Sequence, residues 1–397
     1  MRLCVCLRQA MHIPVQAPRE FTDHYRGRFD GGWEELQRAR WVRAKEMGLI
    51  SADAPLPRMP AGSRKWAGLT PDERAIFARS MEVYSGMMEA MDHHVGRLVT
   101  HLKGTGQFEN TVFVITSDNG PEPSDPVHQT GMGLWMLTQG YNWNLEGLGE
   151  KGSLAYIGPE WAAAVSSPGS IFKFYSASGG IHVHLVMSGP GIRAGLRSAA
   201  LTHVSDITPT ILDLASVGRA AADDEVPITG MSLRALLEGS EEGGRTDSEP
   251  LGIEVSGNAA LFRGPFKIVR NSPPHGDRQW HLYHTFDDPG ETHDLGASMP
   301  DVLAGMISAY EAYERQMGVL PLPEGYDVHG QIRLNVISRL IRAHRLHLLV
   351  AFIAIAVATW ALRRLRKGKP SRRAVEAAGG KGGNGKQQPT SSRRRKD

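Results

Sequence analysis

The longest regular pattern along the chain covers residues 72–103, where Met81, Tyr84, Met88, Met91, Val95, Leu98 and Leu102 recur three and four apart. Apolar side chains at that spacing share one helix face, which predicts a long helix whose stripe packs on a sheet. Gly104-Thr105-Gly106 ends it, and the four apolar residues 112–115 predict a strand buried on both faces. Helix, short turn and buried strand form the αβ half of a doubly wound unit. Upstream, residues 33–47 predict an Arg-rich helix closed by Gly48 at C′, and residues 51–70 are a Pro- and Gly-rich connection. The opening residues, Met1 to Leu7, resemble the middle of a core strand rather than a secretory signal.

Residues 121–170 are rich in Gly, Trp and Pro without a sustained period, which predicts a structured functional loop. Residues 182–187 predict a second strand, and Thr208-Pro209-Thr210 opens a further helix. The acidic, Gly-rich stretch 216–250 reads as a linker. Beyond it, residues 259–263, 266–270 and 280–284 predict short strands and residues 300–317 an amphipathic helix, together a small antiparallel sheet with one covering helix.

The 397 residues, 41% hydrophobic, can bury a large core and exclude a disordered or fibrous class. The net charge of +3 hides a split. Residues 363–397 hold 13 basic and 2 acidic side chains, leaving 32 basic against 40 acidic before them. Ahead of that basic tail, residues 346–362 are apolar but for His347, Thr359 and Trp360 and are flanked by Arg345 and Arg363, which predicts a short transmembrane helix. The charge bias places the tail in the cytoplasm and the body on the periplasmic or extracytoplasmic side, given a signal upstream. Cys4 and Cys6 imply no disulfide framework, and a zinc site would need a second pair that the sequence lacks.

The string VFVITSDNG, residues 112–120, raises the question of chemistry. Asp118-Asn119-Gly120 after a strand reads either as a turn or as a hard-cation site at the carboxyl end of a parallel strand. Taken alone, Lys173 is a solvated charge and His12 a hydrogen-bonded structural group.

In collinear order, however, MHIPVQAPRE (11–20), ITSDNGPE (115–122), Lys173 with SGGI (178–181) and HVSDITPTILDLA (203–215) resemble the sulfatase family, bacterial arylsulfatases in particular. The loop around Asn142–Glu146 and Gly158–Ala162, the run 252–267 and Asp288-Pro289-Gly290-Glu291-Thr292 add to it, so the resemblance covers residues 3–322. It implies an α/β, alkaline-phosphatase-like fold with helices on both faces of the sheet, incomplete at the N-terminus. It also implies hydrolysis of sulfate esters beside a calcium ion, or magnesium in some members. Asp118 and Asn119 match two of the family's metal ligands, and Lys173 and His12 match its sulfate-contacting lysine and histidine. The implied partner is a small-molecule sulfate ester, with the membrane as a second through residues 346–362 and no nucleic acid.

Two departures qualify this. The family's Glu-Gly-Gly-Ile-Arg-x-Pro is here Ser178-Gly179-Gly180-Ile181-His182-Val183-His184, a change expected to loosen the wall that carries Lys173. His182 and His184 share a face of the expected strand but lack a third ligand, and read as structural. The second departure is that the sequence contains no Cys/Ser-x-Pro-x-Arg segment, the source of the family's formylglycine nucleophile. No nucleophile is assigned, and the expectation is a C-terminal sulfatase portion without turnover of its own. A non-catalytic membrane-anchored remnant or binding module, and a phosphatase or phosphodiesterase of the same superfamily, are the competing readings. The domain plan is 1–215 for the sulfatase α/β portion, 216–250 linker, 251–322 small sheet, 323–345 linker, 346–362 transmembrane helix and 363–397 disordered tail.

Overall fold

The computed structural model describes residues 10–128, 132–218, 227–240, 244–246, 248–323 and 325–367. The strand expected around Cys4 and Cys6 and the tail from residue 368 lie outside them. In chain order the elements are α1 (Arg19–Thr22), α2 (Trp33–Glu46), α3 (Pro71–Gly104), β1 (Phe113–Thr116), α4 (Met132–Thr138), α5 (Gly158–Ser166), α6 (Ser178–Ile181), β2 (Leu185–Ser188), α7 (Ile207–Leu214), α8 (Arg234–Glu238), β3 (Leu251–Val255), β4 (Asn258–Arg263), β5 (Phe266–Arg270), β6 (His281–His284), α9 (Pro300–Met317) and α10 (Val328–Lys367). They fall into two compact units, Met1–Leu322 and Pro323–Asp397.

Helix α3 starts where its sequence dictates. Thr70 accepts from Glu73 N–H, Glu73 accepts from Thr70 N–H at 2.8 Å, and Pro71 occupies the first turn. Its first half buries Phe77, Met81 and Val83. Phe77 joins Trp33, Trp66 and Trp161 in a core of edge-to-face rings, with Trp33 4.8 Å from Trp66 and 5.6 Å from Trp161. The indole N–H of Trp161 donates to Phe77 O at 3.1 Å, so this core carries no orphaned donor there. Trp161 belongs to α5, inside the stretch 121–170 that reads from sequence as loop. Its Ala162–Ala164 run has no polar face because the helix is buried all round, which removes the periodic signal.

The first sheet differs from expectation. Strand β1 pairs with β2 antiparallel, in the register Phe113↔Ser188 to Thr116↔Leu185, rather than lying in a parallel sheet. The cross-strand partners Ile115 and Val186 are 49% and 54% exposed, so the strand is not buried on both faces. Among the described residues no third strand joins this sheet. Ile115 instead lines an open cleft with Met88, Met91 and Val95 of α3, which is why the second half of the α3 stripe is not fully packed.

The second sheet is the antiparallel meander β3-β4-β5-β6. Ser256 and Gly257, at φ +52° and +81°, make the two-residue turn between β3 and β4. Helix α9 lays Met306 and Tyr310 on Leu261, Ile268 and Leu282. Strand β3 escapes the sequence pattern: Gly252 replaces a side chain there because the Tyr313 ring lies over it.

Ordered structure also occurs within the ranges read as linkers and anchor. Within the expected linker 216–250, Arg245 pairs with buried Asp206, and Met231 N–H donates to the same carboxylate at 3.0 Å. Residues 328–345, within the expected linker 323–345, are the start of α10. Residues 346–362 do not form a straight span: among the described residues no single helix is long and apolar enough to cross a membrane. Among them one bent pair, Ile337–His347 and Leu349–Arg364, at 60°, reaches the length and composition together.

Candidate active site

The loop after β1 is built for close approach. Gly120 N–H donates to Gly180 O at 2.8 Å, and a Cβ on Gly120 would stand 1.8 Å from Gly179 O. Only glycine fits, which explains the residue that ends VFVITSDNG. Within the loop, Ser117 Oγ donates to Asn119 O at 3.0 Å and the Asn119 amide donates to Asp118 Oδ1 at 3.2 Å. Asp118 is exposed. On the facing segment, Lys173 N–H donates to Pro121 O at 3.1 Å, so the Lys173 loop and the Asp118 loop share backbone hydrogen bonds.

Lys173 and His12, 161 positions apart, meet. Lys173 Nζ lies 3.3 Å from His12 Nε2 and 2.8 Å from Glu122 Oε2. His12 Nδ1–H donates to Ile13 O at 2.9 Å, which fixes the tautomer and leaves Nε2 to accept from the lysine. Glu122 Oε2 is also 3.7 Å from Nε2. The lysine and carboxylate are 20% and 11% exposed and the imidazole 49%, so the group opens to solvent on the histidine side.

The backbone on both sides of Lys173 is held in an unusual conformation. Ile171 and Phe174 take φ of +58° and +83°. Such conformations cost about 1–3 kcal/mol each in a residue with a side chain, and persist where neighbours impose them. The neighbours come from the second sheet: Asn258 Nδ2 donates to Phe174 O at 2.8 Å, and Ser176 N–H donates to Asn271 Oδ1 at 2.9 Å. Glu291 accepts from Ser178 N–H at 2.9 Å, from its hydroxyl at 2.8 Å and from Ser170 Oγ at 2.8 Å. Lys267 Nζ meets the same carboxylate at 2.6 Å, with both side chains buried. Burial pushes the Lys267 ammonium down from its ordinary pKa, against the pull of Glu291. At Ser178, where the family has glutamate, the carboxylate that meets the turn comes from Glu291.

His182 and His184 do not share a strand face, because α6 ends at Ile181 and β2 begins only at Leu185. Among the described residues no three His, Cys, Asp or Glu side chains converge to hold a metal. Asp118 and Asn119 are oxygen donors of the kind calcium takes, but two side chains fall short of its six to eight ligands. Sequence reasoning assigned no role to Glu122, Lys267, Asn258 or Asn271. Glu122 lay inside the quoted ITSDNGPE, and the others near the arylsulfatase-like C-terminal strings, which were the available signal.

The family model for sulfatases matches residues 3–217. An uncharacterized sulfatase of Schizosaccharomyces pombe is 31% identical over 324 residues, which is 80% of this chain and 58% of that protein. The arylsulfatase of Klebsiella aerogenes is 34% identical over 233 residues, 57% of this chain and 49% of that one. The chain thus spans about half the length of these curated relatives. Among solved structures, the phosphonate monoester hydrolase of Agrobacterium radiobacter is 22% identical with a TM-score of 0.38, covering 72% of this chain and 49% of that one. Because the family model takes in more than half of the residues, including His12, Asp118, Asn119 and Lys173, the chain belongs to the sulfatase family.

Proposed function

We propose that this chain carries the sulfate-binding wall and part of the metal shell of a calcium-assisted sulfuric ester hydrolase of the arylsulfatase kind. The observation that carries the reading is the contact of Lys173 with His12 beside the loop of Asp118 and Asn119. A sulfate ester builds negative charge on its bridging and sulfonate oxygens as it breaks, so the site must hold positive charge and donors in place beforehand. Lys173 supplies the charge, and its 2.8 Å partner Glu122 keeps it oriented until an anion displaces the carboxylate. His12, with Nδ1–H fixed on Ile13 O, presents Nε2 to the same volume. Asp118 and the Asn119 Oδ1 would contribute to a calcium ion, whose part is to polarise the sulfate oxygens.

The 397 residues supply no Cys/Ser-x-Pro-x-Arg nucleophile segment, so the proposal gives these residues binding and charge stabilisation and no covalent step. Titration calorimetry of the full chain with inorganic sulfate tests it. Binding is expected to weaken about tenfold or more in Lys173→Ala, and calcium is expected to bind wild type and not Asp118→Ala. Sulfate affinity unchanged in Lys173→Ala sinks the sulfate-wall assignment. Calcium-dependent hydrolysis of an aryl sulfate by the chain alone, lost in Lys173→Ala, overturns the absence of a covalent step.

A further inference from the structure

Helix α10 holds eight Arg and Lys residues and no Asp or Glu between Val328 and Lys367. Its two halves use that charge differently. In the first half Asn335, Ser338, Arg339, Arg342 and Arg345 fall three and four apart and make one polar stripe. Contacts along it follow that spacing: Gln331 Nε2 donates to Asn335 Oδ1 at 3.0 Å and Arg342 donates to Ser338 Oγ at 2.9 Å. Leu334, Ile337 and Ile341 stand off the stripe and are more than half exposed. The second half is apolar all round, with Leu349, Phe352, Ile355, Trp360 and Leu362 each more than half exposed. Arg364 then returns the charge, its guanidinium 4.6 Å from the Trp360 ring centre.

Length decides how such a helix meets a bilayer. The uncharged run from Leu346 to Leu362 rises about 25 Å at 1.5 Å per residue, short of the roughly 30 Å hydrocarbon core, and only about 21 Å of it, Leu349 to Leu362, lies beyond the break. The bend of 60° at the break between His347 and Leu349 prevents the first half from extending that run in a straight line. With Arg339, Arg342 and Arg345 on one stripe of its first half, Arg333 and His344 off it, and an apolar second half, the helix suits the plane of the interface, where an amphipathic tryptophan beside an arginine reaches headgroup depth. A nucleic acid would use the arginine stripe but leave the apolar run in water; an anionic lipid surface uses both.

We propose that α10 is a monotopic anchor that lies in the surface of an anionic bilayer without crossing it. The arginine stripe sits on the headgroups, and the exposed apolar side chains enter the acyl boundary. The termini of α10 then lie on one side of the membrane. This does not rest on the ester chemistry proposed above, and either can fail alone.

The test is co-sedimentation of the full chain with preformed vesicles of phosphatidylcholine, with and without phosphatidylglycerol. Binding is expected to favour the anionic vesicles, to weaken as salt rises, and to fall roughly 10- to 100-fold in Arg339→Glu/Arg342→Glu/Arg345→Glu. Phe352→Ser/Ile355→Ser is expected to release the chain at low salt as well. In a Cys4→Ser/Cys6→Ser background, Gln331→Cys and Lys367→Cys are expected to react equally with a membrane-impermeant maleimide added outside. Protection of Lys367→Cys alone would show a crossing helix and overturn the proposal. So would equal binding to neutral and anionic vesicles, or a vesicle-independent dimer abolished by Phe352→Ser/Ile355→Ser. Circular dichroism confirms that each variant keeps its fold.

Discussion

Ser178 donates both its backbone N–H, at 2.9 Å, and its hydroxyl, at 2.8 Å, to a single oxygen of Glu291, 113 positions away. The same oxygen receives Lys267 Nζ at 2.6 Å. The small antiparallel sheet thus holds the turn that carries Gly179 and Gly180, and through Gly180 O it holds the loop of Asp118 and Asn119. Removing one member of a buried charged pair strands the other. Glu291→Ala is expected to cost about 3–5 kcal/mol, read from urea unfolding, while Lys267→Met/Glu291→Leu returns most of that loss. A double variant as unstable as the single one would show that the cost comes from Ser178 and the turn rather than from the stranded ammonium.

Gly120 and Gly179 set a steric limit on the same loop. A Cβ at 1.8 Å from Gly179 O forces the two loops apart and breaks the Gly120 N–H bond to Gly180 O. Gly120→Ala is expected to destabilise by about 2–4 kcal/mol. Gly305→Ala in α9, where a Cβ meets nothing within 4 Å, is expected to stabilise by about 0.5–1 kcal/mol. Thermal melts of the two variants therefore move in opposite directions.

The sequence shows local structure well and tertiary pairing poorly, for reasons visible in these residues. Helix α3 carries its own start signal in Thr70, Pro71 and Glu73 and its own period, and α9 likewise begins at Pro300 with a regular stripe. The order of His12, Asp118, Asn119 and Lys173 was legible through the family motifs. Nothing local in the chain says that Glu122 turns to Lys173, or that Glu291 binds Ser178, because those contacts depend on how distant loops meet. The exposure of Ile115 is hidden for the same reason: VFVI looks buried on both faces, and only the two-stranded sheet reveals an open one.

Glu122 restrains the cation it orients. Its carboxylate is 2.8 Å from Lys173 Nζ, where an incoming sulfate oxygen would have to stand. Glu122→Gln keeps the shape and removes the charge, so inorganic sulfate is expected to bind roughly 3- to 10-fold more tightly than to wild type. Unchanged or weaker binding in the calorimeter would mean that the carboxylate positions the lysine more than it competes for it.

His281 is held between two carboxylates, Nδ1 at 2.8 Å from Asp294 and Nε2 at 3.0 Å from Asp277. With an acceptor on each ring nitrogen the imidazolium is the favoured form. Burial pulls its pKa down, but the bonds to Asp277 and Asp294 pull harder and the net shift is upward. Asp277 is lowered chiefly by its bond to His281. Asp294 is lowered by the N–H groups of Leu282 and Gly296 together with His281, against burial. A raised histidine contributes stability that is complete below its unfolded value of about 6.5 and is lost as pH rises through the folded value. The lowered carboxylates contribute stability present above about 3.9 and lost as pH falls through their folded values. The melting-temperature gap between wild type and His281→Asn is therefore expected to be widest between about pH 4 and 6.5 and to shrink above that range. A gap that stays constant from acid to alkaline pH would show that His281 contributes by packing rather than by charge.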